Sequence, residues 1–224
     1  MIFGLWVRLG VPETPQFRAL ERDDDRSRSP LREVVHEHRR GLLIAGCSRF
    51  GPDVLYSMIS AFTLSYMTVQ LGLTSTLATT ALAVGAVANV ACIFVAGGLS
   101  DRFGARAVYC AGVIAGTAWL WVYFPLLDTR SDAAVIAAFV GGFAVHAFMY
   151  GPQGAFITEQ FPTRVRYAGS SLAYTIAGVF AGGLAPLAMA ALYRAYSTTV
   201  PVVLYATAAM VVTLVALAGA RRRT

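Results

Sequence analysis

The sequence contains no lysine, so all 18 of its basic side chains are arginine. Charge is scarce overall: 13% of the 224 residues are charged, against 57% that are hydrophobic. That balance argues against a soluble enzyme, which would have to bury this much apolar surface away from water by itself. Cysteine is equally sparse. Cys47, Cys92 and Cys110 are odd in number and widely separated, which excludes a disulfide framework or a zinc knuckle and leaves them as small apolar side chains. There is no glycine-rich phosphate loop, no HExxH zinc site and no serine nucleophile elbow. Asp101 and Glu159 do not form a facing catalytic pair. The sequence therefore predicts no enzymatic activity, no cofactor and no metal site.

What is present is a series of long apolar stretches. They predict an all-α, polytopic membrane protein with six spans, at 42–71, 77–99, 107–127, 133–157, 169–192 and 201–220. At about 1.5 Å per residue each can cross a hydrocarbon core of about 30 Å. The arginines lie between these stretches, which positive-inside topology explains better than nucleic-acid binding. One side collects the arginines between 18 and 40, Arg102 with Arg106, Arg164 with Arg166, and 221–223. The other has Arg130 and Arg194. The distribution predicts both termini in the cytoplasm of a plasma or inner membrane, with lipid headgroups as incidental partners.

The expected organisation is a helix remnant at 1–10, a cytoplasmic linker at 11–41 with one short helix near 31–39, a six-helix bundle at 42–220, and a tail at 221–224. Gly112/Gly116 and Gly178/Gly182 have the small-xxx-small spacing that lets helices approach closely. Gly182, Gly183 and Pro186 are expected to interrupt the fifth span. Trp119, Trp121 and Tyr123 predict an interfacial belt.

Two polar groups stand at membrane depth. Arg49 and Asp53 are four residues apart and share a helix face, and Gly46, Gly51 and Pro52 weaken helical order around them. The pair reads either as an anion-contacting arginine beside a titratable carboxylate, or as charges near a helix end with Arg49 snorkelling. His146, Tyr150 and Gln153 fall on one stripe of the fourth span. Histidine exchanges a proton near neutral pH, and tyrosine and glutamine orient a ligand without charge. Interhelical hydrogen bonding explains the same stripe. Asn89, in the second span, is placed to join either network. Tyr56, Tyr66 and Tyr174 are candidates to face a cavity.

The loops add a resemblance. Gly98-Leu99-Ser100-Asp101-Arg102-Phe103-Gly104-Ala105-Arg106, between the second and third spans, resembles the loop motif of the major facilitator superfamily. Val11-Pro12-Glu13-Thr14-Pro15-Gln16-Phe17, Ser29-Pro30-Leu31-Arg32-Glu33, Tyr150-Gly151-Pro152-Gln153 and the stretch from Glu159-Gln160-Phe161-Pro162-Thr163-Arg164 to Gly169 resemble its metabolite–proton symporter family. This resemblance implies the carboxyl-terminal six-helix half of a twelve-helix transporter, coupled to protons and selective for a small organic acid or zwitterion. It implies substrate and proton contacts among Arg49, Asp53, His146, Tyr150, Gln153 and Asn89. It also implies gating contacts by Asp101, Arg102 and Arg106 and by Glu159, Arg164 and Arg166. Ala105 departs from the motif, which often carries a basic residue or glycine there. An amino-terminal half, or a second copy of this chain, is the expected partner. The competing reading is a non-transporting remnant or a regulatory partner of another transporter.

Overall fold

The computed structural model describes residues 29–220. The expected remnant at 1–10, the first part of the linker, the motif at 11–17 and the arginines at 221–223 lie outside the described residues. Every described element is helical, and among the described residues there is no strand. In chain order the helices are α1 (Pro30–Glu37), α2 (Arg39–Ser48), α3 (Phe50–Ser57), α4 (Thr63–Ser65), α5 (Ser75–Phe103), α6 (Ala105–Asp128), α7 (Asp132–Thr158), α8 (Arg166–Ala177), α9 (Ala185–Tyr196) and α10 (Val200–Gly219).

Five stretches are long and apolar enough to cross a membrane: α5, α6, α7, the run Thr163–Tyr196 and α10. The first expected span is helical from Arg39 to Gln70, but it is divided. It steps through α2 and α3, a π-helical turn at Met58–Phe62, α4 and a second π-helical turn at Tyr66–Gln70. Each piece is shorter than a membrane span. The fifth expected span breaks where its glycines predict. A π-helical turn at Gly178–Gly183 hands over to α9, whose first turn carries Pro186.

Local chemistry sets the boundaries of the longer helices. The Thr74 side chain accepts from the Leu77 amide and starts α5. Gly104 ends α5 and begins α6 with φ +87°, a left-handed backbone that glycine adopts freely, so the motif loop turns within one residue.

α7 packs lengthwise between α5 and α6, and α10 covers α2, α3 and α6. The core is aromatic and sulfur-rich: Tyr109, Tyr123, Phe124, Phe139, Phe156, Met58, Met67 and Met149 are fully buried. Gly112 lies against the backbone of Phe148 and Met149, where a methyl group would sit 2.8 Å from a main-chain carbon. Gly116 lies against the Met149 side chain. That pair packs as its spacing suggests. Gly178 and Gly182 do not: a methyl group on either would meet nothing within 4 Å, because this pair shapes the π-helical turn instead.

The expected belt is also corrected. Tyr123 is fully buried, with its hydroxyl 3.3 Å from Thr63 Oγ1. Trp119 lies on Gly141 and donates to the Ala138 carbonyl, and only Trp121 of the three is exposed. Aromatic density on α6 thus fills the seam with its neighbours.

One end of the bundle is held by arginine. Arg106 donates to the carbonyls of Ala218 and Ala220, both at 3.1 Å, and Arg40 donates to Gly219 at 3.2 Å. These cations satisfy carbonyls that the end of α10 leaves open. At the same end α1 is tied to the loop before α8, with Arg164 2.6 Å from Glu33 and 3.8 Å from Glu37. At the opposite end Tyr66 donates to Asp128 at 2.5 Å.

We expect Gly112→Ala to force α6 off α7 and cost about 1–3 kcal/mol by overpacking. Gly178→Ala should cost little. Thermal denaturation of the detergent-solubilised variants checks the contrast.

Candidate functional site

The site begins with a missing proton. Pro52 has no N–H, so the Ser48 carbonyl one turn earlier loses its helical partner. The Tyr109 hydroxyl from α6 takes that carbonyl at 2.6 Å. One residue earlier, the Thr213 hydroxyl from α10 enters the ladder. It accepts from the Gly51 amide at 2.8 Å and donates to the Cys47 carbonyl at 3.3 Å. Glycine is needed at 51, because a methyl group there would lie 2.8 Å from Met210 Sδ. The chain therefore turns at Arg49, between α2 and α3, and two neighbouring helices repair the broken ladder.

Arg49 stands at this break and is 9% exposed. Its Nε donates to Asp53 Oδ2 at 3.1 Å, and its Nη2 donates to both carboxylate oxygens at 2.8 Å. The guanidinium lies 3.9 Å from the centre of the Tyr174 ring on α8. Its Nη1 is buried and has no hydrogen-bond partner. A paired, stacked and desolvated arginine is not snorkelling towards a membrane surface. Two glycines in this neighbourhood have free space at their Cβ positions. Gly46 shares the helix face of Arg49 and Asp53 and is buried, yet a methyl group on it would meet nothing within 4 Å. On Gly154 it would meet only the Tyr174 hydroxyl, at 4.0 Å.

The stripe on α7 divides between two neighbourhoods. Gln153, fully buried, donates through Nε2 to the Tyr109 hydroxyl at 3.0 Å, which joins it to Ser48 and so to the Arg49 break. His146 is 4% exposed and stacks on Tyr150, with ring centres 5.5 Å apart. Tyr56 of α3 also packs against His146, with ring centres 5.4 Å apart. Tyr150 and Tyr56 are half exposed. The Asn89 amide donates to the Phe143 carbonyl at 2.7 Å and meets His146 Nδ1 at 3.1 Å. Because that amide nitrogen is a donor, Nδ1 must accept, and the neutral ring carries its proton on Nε2. Asn89 thus joins the histidine group, and both groups converge on α2 and α3.

The expected gating residues occupy the arginine-rich end. Arg106 caps α10, Arg164 pairs with Glu33, and Arg102 lies over Phe103 with its guanidinium carbon 5.2 Å from the ring centre. Among the described residues, Asp101, Glu159 and Arg166 form no ion pair in this conformation, and Arg166 Nε is buried without a hydrogen bond. The ligand atoms of Glu33, Glu37 and His38 lie within 4.8 Å of one another. Arg164 already supplies the positive charge there, so we assign no metal.

Sequence reasoning missed Tyr109 and Thr213. Pro52 was the available signal, since it announces an orphaned carbonyl at position 48. Which helix answers it is a matter of tertiary packing.

A buried ion pair at a helix break, inside a bundle of apolar spans, defines a polytopic membrane protein with a polar site at membrane depth. The chain belongs to the Major Facilitator Superfamily, whose sequence model matches residues 41–224. It is 29% identical over 223 residues to the inner membrane metabolite transport protein YhjE of Escherichia coli, covering 97% of this chain and 50% of that one. It is 29% identical over 196 residues to the shikimate transporter of the same organism, covering 84% and 44%. Over 111 residues it is 37% identical to the citrate-proton symporter of Klebsiella pneumoniae, covering 48% and 24%. The chain spans about half the length of the curated relatives it matches. No solved structure matches it.

Asn89→Leu should leave His146 Nδ1 and the Phe143 carbonyl without their donor, at a cost of about 1–3 kcal/mol. The two imidazole tautomers should then mix. Nitrogen NMR of histidine-labelled protein reads the tautomer, and an unchanged Nε2–H signature would refute the assignment.

Proposed function

We propose that this chain forms one wall of a proton-coupled symporter for a small organic acid or zwitterion, in an inner or plasma membrane. The observation that carries this reading is the buried Arg49–Asp53 pair with its unpartnered Nη1. Ionised Asp53 neutralises Arg49. When Asp53 takes a proton, Arg49 becomes an unpaired charge at membrane depth, and removing one partner of a buried pair costs about 3–5 kcal/mol. A substrate carboxylate arriving at Nη1 cancels that charge. Proton and anion then enter together, because each alone leaves the site with an uncompensated charge.

Asp53 suits the proton role better than His146, whose Nδ1 is committed to Asn89 and whose ring is held between tyrosines with no carboxylate partner among the described residues. Tyr150, half exposed on the same stripe, is placed to orient the ligand. The names of the relatives, which include metabolite, shikimate and citrate-proton carriers, support this substrate class. Their length supports a second wall, an amino-terminal half or another copy of this chain. In this reading the arginine-rich end is cytoplasmic, 42–220 is the bundle, and 11–41 is the linker that α1 docks against the gating loop through Glu33 and Arg164.

Uptake into proteoliposomes tests the proposal, with the chain alone and with a co-expressed amino-terminal half, with and without an inward proton gradient. We expect gradient-driven uptake of organic acids, reduced at least about tenfold by Arg49→Lys, which cannot reproduce the bidentate fork. Asp53→Asn should bind substrate but lose its response to the gradient. A stable complex with another transporter, but no flux in any arm, would favour the regulatory-partner reading.

A further inference from the structure

Two buried polar atoms at the Arg49 break have no partner: Arg49 Nη1 and Gln153 Oε1. One is a donor and the other an acceptor. Buried groups of this kind are almost always satisfied, so each asks what completes it.

The orientation of the Gln153 amide is fixed by its neighbours. The Tyr109 hydroxyl has one proton, and the Ser48 carbonyl, an acceptor only, holds it at 2.6 Å. Tyr109 can therefore only accept from Gln153, so the amide must present Nε2–H, as it does at 3.0 Å. The amide oxygen is forced to the other side and cannot exchange places with the nitrogen. Pro52 thus acts at a distance. By freeing the Ser48 carbonyl it commits the Tyr109 proton, and by committing that proton it turns an acceptor outward from Gln153. Arg49 is similarly committed, with Nε and Nη2 spent on Asp53 and Nη1 left over.

The two residues belong to one cluster of contacts. Ser48 precedes Arg49 in the chain, and its carbonyl is two hydrogen bonds from the Gln153 amide. Tyr174 stacks under Arg49 and brings its hydroxyl beside Gly154, the residue after Gln153.

We infer that Gln153 Oε1 is a specificity-determining acceptor that reads a hydroxyl on an anionic ligand held by Arg49 Nη1, so the ligand class is a hydroxycarboxylate. This rests on the proposed role of Arg49 as the carboxylate contact. An ammonium is the poorer match for the acceptor. Gln153 is neutral, fully buried and bonded to a neutral phenol, so a desolvated cation there would lack a counter-charge while Arg49 stood nearby.

Calorimetry on the full chain in detergent, alone and with a co-expressed amino-terminal half, tests the inference with two matched sets: lactate, propionate and alanine, then malate, succinate and aspartate. Lactate and malate should bind at least about tenfold more tightly than propionate and succinate, because a site built for a hydroxyl leaves its acceptor unpaired without one. Gln153→Met should erase that preference and leave the weaker, carboxylate-only affinity. Tyr109→Phe releases the amide to turn, and should shrink the preference while retaining carboxylate binding. If Gln153→Met does not assemble, the wild-type ligand sets and Tyr109→Phe decide the matter. Equal affinity for hydroxylated and unsubstituted acids, with Arg49→Lys still weakening both, overturns this inference and leaves the proposed function standing. Tighter binding of alanine and aspartate overturns it too. Acid binding that is absent in both arms, or indifferent to Arg49, overturns both.

Discussion

The absent amide proton of Pro52 is the constraint on which the site depends. A continuous helix would keep the Ser48 carbonyl and the Gly51 amide inside its own ladder, leaving neighbouring helices no polar foothold. The break exposes both groups at membrane depth, where water is not available to satisfy them. Tyr109 and Thr213 are recruited from α6 and α10 for that reason. The same break turns the chain at Arg49 and brings its side chain to Asp53 and Tyr174. Three helices around the first span are thereby locked in register by the defect itself. Their hydroxyls make the defect tolerable.

The second broken span follows the same rule. Its π-helical turn at Gly178–Gly183 loosens the ladder, and the Ser57 hydroxyl from α3 takes the Gly182 carbonyl at 2.8 Å. The two irregular spans therefore satisfy each other in part. Irregular backbone inside a membrane protein is stable only where protein or a polar cavity covers it. Here it gathers around one locus, while α5, α6 and α7 remain uninterrupted α-helix and supply the rigid frame.

Much of this was legible from residue order alone. Five of the six expected spans coincide with helical stretches long and apolar enough to cross a membrane, and the two breaks follow from Gly51-Pro52 and Gly182-Gly183 with Pro186. The Arg49–Asp53 pair follows from helical spacing. What residue order did not carry was side-chain direction across helices. Spacing puts His146, Tyr150 and Gln153 on one stripe, yet Gln153 turns to Tyr109 while the histidine meets Tyr56 of α3 and stacks on Tyr150. Tyr123 looked interfacial because α6 is aromatic near that end, but the space facing it is a core seam closed by Phe124 and Phe139. Two GxxxG pairs with identical spacing behave differently because one meets the α7 backbone and the other meets nothing. Periodicity gives the face on which a residue lies. It does not say what that face meets.

The charge count of the site constrains any mechanism more tightly than its geometry does. With Asp53 ionised, the Arg49 pair carries no net charge, and its hydrogen bonds satisfy both carboxylate oxygens. Adding an anion alone makes the site negative, and adding a proton alone makes it positive. In a region of low dielectric either state is costly, whereas adding both returns the site to neutrality. Under the proposed symport, coupling needs no relay of moving parts between separate proton and substrate sites. In that proposal one arginine faces only one carboxylate at full strength, and the proton decides whether that carboxylate belongs to Asp53 or to the ligand.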